Sequence, residues 1–162
     1  MSDEVKSLRT SQILRNGDYF EEIMAKIFAQ FANSDFCRQT RLFSNLVFML
    51  FKDLIKVYKV YYVHITEILE RFEALRADEC KKAFKMYQNF VKLTELIKAK
   101  ANKLIYQFNF PIQLPEFYNP EKELVDTLRV VVEASDGEKA HQVAKKVRGG
   151  MNREQFKPKT QQ

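Results

Sequence analysis

Residues 35–72, DFCRQTRLFSNLVFMLFKDLIKVYKVYYVHITEILERF, contain neither Gly nor Pro. Apolar side chains at Phe43, Val47, Leu50, Leu54, Val57, Tyr61, Ile65, Ile68 and Phe72 recur at steps of three and four, the spacing of one helix face. A single helix over 35–72 would be about 57 Å long at 1.5 Å per residue. Leu46, Phe51, Tyr58, Val60 and Leu69 widen the stripe beyond a coiled-coil seam, so this helix must be covered on more than one side. Lys52, Asp53, Lys56 and Lys59 interrupt the apolar run and rule out a membrane span.

Downstream, residues 75–77 make a short connection and Asp78-Glu79 opens a second long helix, expected to run to about Ile105. Ala83, Phe84, Met86, Tyr87, Phe90, Val91, Leu93 and Ile97 project to one half of it, and Lys81, Lys82, Lys85, Lys92, Lys100 and Lys103 to the other. So short a connection predicts an antiparallel hairpin. Pro111, Pro115 and Pro120 then make 108–119 a loop, and Pro120 suits the first position of a helix over 121–134 with Leu124, Leu128, Val131 and Val132 inward. Upstream, Phe20, Ile23, Met24, Ile27, Phe28 and Phe31 predict a helix ending near Asn33-Ser34. Asn16-Gly17-Asp18 reads as the stop of a weakly patterned earlier helix, with Asp18 as the next N-cap and Glu21 and Glu22 in its first turn. The expected fold is all-α, an antiparallel helical bundle or superhelical solenoid fragment with one long helical hairpin. It divides into a helical domain over 1–136 and a basic, flexible tail over 137–162.

The chain has 162 residues, enough for one domain with a real core. Gly17 is the only Gly before Gly137, which argues against turn-rich β architecture and against a Gly-rich phosphate loop. The net charge of +6 is unevenly placed: residues 1–136 carry +1 and residues 137–162 carry +5. A nearly neutral body speaks against a nucleic-acid-binding domain. The tail can serve as an electrostatic tether or simply as a solubilising segment.

Catalytic chemistry finds no footing. His64 and His141 fall in different elements, and His64 reads as an ordinary helix residue rather than a general base. Cys37 and Cys80 lack metal-ligand spacing, and with no signal peptide in view they read as reduced cytosolic thiols, Cys80 as a small core filler. No catalytic, metal or cofactor-binding residue is assigned. Lys81, Lys82, Lys85 and Lys92 form the best charged patch, either a solvated face or a contact for an anionic membrane or polyacidic partner.

The run over 46–93, with Phe51-Lys52-Asp53, Leu69-Glu70-Arg71-Phe72 and Cys80 followed by Tyr87 and Phe90, resembles the C-terminal half of the ANTH domain of clathrin-assembly adaptors. The loop "FNFPIQLP" and the helix after it resemble the closing segment of that family, so the resemblance covers roughly 18–133. It implies a non-enzymatic clathrin adaptor in coated-vesicle formation and endocytosis, cytoplasmic and peripheral on coated pits and vesicles at the plasma membrane or Golgi and endosomes. The partners it implies are clathrin, membranes containing phosphatidylinositol bisphosphate and, for some members, a SNARE helix. The alternative is a helical scaffold that docks a partner helix without lipid, with Leu69 as the candidate groove position. The family's lysine- and histidine-rich lipid motif has no counterpart here, and residues 137–162 hold no clathrin-box or Asp-Pro-Phe motif. The chain therefore reads as a partial ANTH-like domain, and exposed apolar surface and self-association are expected of it.

Overall fold

The structure is a computed structural model, and it describes residues 2–32, 41–108, 116–117 and 122–134. Five α-helices follow one another: α1 (Ser2–Lys6), α2 (Thr10–Ala32), α3 (Arg41–Glu70), α4 (Ala77–Phe108) and α5 (Lys122–Ala134). A 3₁₀ turn, Phe72–Ala74, lies between α3 and α4. Among the described residues there is no strand, and the fold is all-α. The tail, the loop over 109–115 and residues 35–40 of the expected long helix lie outside the described residues.

α2 and α4 run parallel to each other and both run antiparallel to α3. The pairings show it: Asn16 meets His64 and Glu21 meets Tyr61, while Glu21 also meets Asn89 and Phe31 meets Lys100. The expected α3–α4 hairpin is present, and α2 lies along it as a third long helix. α5 packs on α4 through Leu128 and Val131. Leu124 has no described side chain.

Local chemistry explains the helix boundaries. α2 begins where the Gln12 side chain accepts the Arg9 backbone N–H (2.9 Å), and α4 where Glu79 accepts the Arg76 N–H (3.1 Å). Each is half of a capping box, satisfying one of the donors a helix N-terminus leaves open. α3 ends at Glu70, and the next residues close the turn with Ala74 N–H to the Arg71 carbonyl (2.9 Å). Leu75 is extended (φ −76°, ψ 147°) and sends the chain into α4. Phe72, the last position of the apolar series, is buried in that turn.

The predicted break at Asn16-Gly17-Asp18 is corrected. α2 is continuous from Thr10 to Ala32, so Asp18, Glu21 and Glu22 are mid-helix residues rather than a cap and first turn. Gly17 is there for close approach. A Cβ on it would stand 2.5 Å from Met86 Sδ and 2.7 Å from Met86 Cε, well inside contact distance. The missing side chain lets α2 and α4 meet, which outweighs the roughly 1 kcal/mol that Gly costs a helix interior.

The core joins the three long helices. Phe51, Leu54, Tyr61, Ile65 and Ile68 of α3 face Ala83, Tyr87, Phe90, Ile97 and Leu104 of α4, with Ile13, Met24 and Phe31 of α2 beside them. Phe90 stacks on Tyr58 and Tyr62 and meets the Tyr61 ring edge-on. Phe117 packs edge-on against Tyr58 at the rim of this cluster. Exposed apolar surface is also present, as expected: Leu42, Leu46 and Met49 of α3, and Leu96 and Tyr106 of α4.

Candidate functional site

A polar crossing point lies in the part of the bundle where α2 starts. Glu21 of α2 accepts a hydrogen bond from Tyr61 of α3 (2.7 Å) on one carboxylate oxygen and from Asn89 of α4 (2.9 Å) on the other. One side chain thereby joins three helices. Burial, then the bonded Glu21, push the Tyr61 hydroxyl far above the ordinary tyrosine range, so it stays protonated as a donor. One turn away, buried His64 donates from Nδ1 to the Val60 carbonyl (3.0 Å) and accepts from Asn16 Nδ2 (3.4 Å) on Nε2. The Val60 carbonyl can only accept, so Nδ1 carries a proton. Phe20 packs edge-on against the ring. A histidine held this way has no free nitrogen to offer a substrate.

Cys80 is equally enclosed. Its Sγ lies 3.6 Å from the Phe72 carbonyl and 3.7 Å from that of Leu75, and burial, with Glu79 and Asp78 adding, pushes its thiol up. A raised thiol is a poor nucleophile at neutral pH. Cys37 lies outside the described residues, as does His141. Among the described residues, no group of three His, Cys, Asp or Glu is placed to hold a metal ion. No described helix is long and apolar enough to cross a membrane.

The lysines stand on the opposite side of α4 from the core. Lys81, Lys82, Lys85 and Lys92 are all exposed, because their neighbours Ala83, Phe84, Met86, Tyr87 and Phe90 commit the other half of the helix to the core. Lys81, Lys85 and Lys92 fall within about 40° of one another on the helix and Lys82 stands about 100° from Lys81. Nearby acids are engaged elsewhere: Asp78 and Glu79 with Arg76 (3.8 and 3.5 Å), and Glu95 with Lys98 (2.9 Å). Lys82, Lys85 and Lys92 make no ion pair among the described residues. Lys100, expected on the same face, turns back instead. Its ammonium donates to the Phe31 carbonyl (3.3 Å) at the end of α2 and lies over the Phe31 ring, where a cation suits the C-terminal end of the helix dipole.

Leu69 is corrected. It is 9% exposed and belongs to the core, so it offers no groove wall. Its helix end is wrapped by Arg71, which donates to the carbonyls of Leu8 (2.6 Å) and Lys6 (2.7 Å) and to Glu67 (2.7 Å). That clamp folds α1 over the end of α3. The exposed apolar residues of α3 lie at its other end, where Leu42 is 80% and Met49 63% exposed. Projected at about 100° per residue, Leu42, Leu46 and Met49 stand about 140–180° from Leu69, on the other side of the helix.

Sequence reasoning placed Glu21 in a helix first turn and did not single out Asn89. The available signal was a tyrosine, Tyr61, in the middle of a buried stripe, because a buried phenol needs a partner.

The ANTH domain family model matches residues 2–99, from α1 through most of α4. No curated protein and no solved structure matches the chain. The match starts earlier than the resemblance over 18–133, taking in the clamped α1 and the first turns of α2.

Proposed function

The chain belongs to the ANTH domain family, and from that premise we propose that it is a non-enzymatic clathrin adaptor. In this reading it works in coated-vesicle formation and endocytosis, peripheral on the cytoplasmic face of coated pits and vesicles. Phosphatidylinositol bisphosphate membranes and clathrin are its partners. The observation that carries the membrane half of the proposal is the lysine row of α4. Lys81, Lys82, Lys85 and Lys92 gather basic charge on one exposed surface of a core-anchored helix, and Asp78, Glu79 and Glu95 beside them are paired to other bases. A bilayer with anionic head groups is attracted to such a row by about 1 kcal/mol per lysine near its surface, over roughly a Debye length.

Vesicle co-sedimentation tests it. The chain is expected to bind vesicles containing phosphatidylinositol bisphosphate, less so at raised salt, and the K81E/K82E/K85E/K92E variant is expected to lose most of that binding. Binding unchanged in the fourfold variant removes these lysines from the site.

One observation favours the alternative of a scaffold that docks a partner helix. Leu42, Leu46 and Met49 are exposed at four- and three-residue spacing on α3, the pattern by which a helix face receives another helix. A partner captured without lipid, and lost in a L42S/L46S/M49S variant, would select that reading.

A further inference from the structure

The outer face of α4 carries more than lysines. Lys81, Lys85, Lys92, Leu96, Lys103 and Tyr106 fall within about 80° of one another on the helix, a single strip about 38 Å long. Two large apolar side chains sit openly in it: Leu96 is 59% exposed and Tyr106 91%. Lysine stems often lie down over apolar neighbours and hide them, but these two are not hidden. Gln88 and Ala99 on the same line are neutral, and the two carboxylates next to it are paired: Asp78, one turn before Lys81, with Arg76 (3.8 Å), and Glu95, at the strip's edge, with Lys98 (2.9 Å). The first half of the strip is thus purely basic and the second half alternates cationic and apolar groups.

We infer that this strip is a membrane-contact surface on which α4 lies flat along an anionic bilayer. Lys81, Lys85, Lys92 and Lys103 sit over the head groups, and Leu96 and Tyr106 enter the interface as anchors. The inference rests on the proposed membrane role and adds to it an orientation and two insertion residues. Charge complementarity selects the occupant. A line of lysines carrying no acidic residue of its own suits a continuous sheet of negative charge, and an aromatic ring with a hydroxyl is favoured where hydrocarbon gives way to head groups. A leucine and a tyrosine at one end of a helix reach the head-group and acyl boundary, about 5–10 Å deep, without any spanning segment. The opposite half of α4 is locked in the core by Phe90, Ile97, Ala101 and Leu104, so the strip faces outward as a unit.

The chain contains no Trp, so one introduced Trp reports its own position. Tyr106→Trp and Leu96→Trp, each in the full chain, are expected to shift to the blue and be quenched by brominated lipid when vesicles of phosphatidylcholine and phosphatidylserine are added. Vesicles of phosphatidylcholine alone are expected to leave both unchanged. The L96S/Y106S variant is expected to keep its circular dichroism and to bind anionic vesicles roughly tenfold more weakly. Its residual binding should vanish at high salt, whereas the unmodified chain keeps a salt-resistant fraction. If the fourfold lysine variant loses binding while the indole of each single variant stays unquenched on bound vesicles, the anchors are overturned and the membrane role stands. If the lysine variant binds as well as the unmodified chain, these lysines and the strip they define are removed from the contact, and if the unmodified chain does not bind anionic vesicles, the membrane role itself fails. Capture of an acidic protein with no vesicle binding overturns both.

Discussion

The two ends of the three-helix bundle are built differently. At one end, the start of α2 meets the end of α3 and the start of α4. There Arg71 clamps two carbonyls of the α1 segment, Asn16 holds His64, Glu21 joins Tyr61 to Asn89, and Gly17 lets Met86 approach. At the other end, the end of α2 meets the start of α3 and the end of α4. There the cross-link is Lys100 on the Phe31 carbonyl, and Leu42, Leu46, Met49 and Tyr106 are exposed. α3 shows the contrast within one helix: Val47 is the single buried residue before position 50, and the other buried residues lie from Phe51 to Leu69. Directional bonds between helices fix their register and spacing, and a close glycine contact allows only one crossing. Among the described residues, Leu42, Leu46, Met49 and Tyr106 are exposed toward the second end, and Tyr19 toward the first. The bonds between helices that this comparison names gather at the closed end, and the proposed contact surface runs along the outer face of α4.

Substitutions on the two ends can break this contrast. The largest expected effect is Ile65→Ala at the closed end, about 3 kcal/mol of lost stability from a fully buried side chain. Leu42→Ala at the open end should stay within about 0.5 kcal/mol. Urea unfolding of the two variants side by side measures both, and equal losses would abolish the distinction. Next comes Glu21→Ala, expected to cost about 2 kcal/mol because the Asn89 amide loses its acceptor and the Tyr61 hydroxyl keeps only the Met86 carbonyl at 3.3 Å. Glu21→Gln keeps an acceptor oxygen and should lose less. A Glu21→Ala variant as stable as the parent would mean that the three-helix bond adds nothing at the closed end. The smallest loss expected at the closed end is that of Gly17→Ala, where the helix gain of about 1 kcal/mol is set against about 2 kcal/mol of overpacking on Met86. The net loss of about 1 kcal/mol should shrink or reverse in a Met86→Ala background. Additive losses in that double-mutant cycle would separate Gly17 from Met86.

The hairpin was legible from spacing because α3 and α4 are long, lack Gly and Pro, and bury wide apolar arcs. The lysine row was legible for the same reason: once the core half of α4 is known, the remainder faces solvent. Gly17 was misread because a glycine between Asn and Asp has the local composition of a helix stop. The contact that favours glycine there is with Met86, 69 positions away. Leu69 and Leu46 show a second limit. They project about 140° apart on α3, and the packed structure covers the side that carries Val47 and Leu69 while leaving Leu46 exposed. Glu21 was assigned to a first turn on local electrostatics, whereas its partners belong to two other helices.

By itself, then, the sequence determined that this protein is helical, that two long helices fold back on each other, and which half of α4 carries its lysines. Those properties are periodic and local, written in the three- and four-residue recurrence of apolar side chains along each helix. Only the tertiary structure decided that α2 runs unbroken through Gly17, that Glu21 ties three helices together, that Leu69 is enclosed, and that Leu96 and Tyr106 stand uncovered among the lysines. Each of these depends on which residues of distant segments meet, and that is settled by the crossing and overlap of whole helices rather than by the pattern along any one of them.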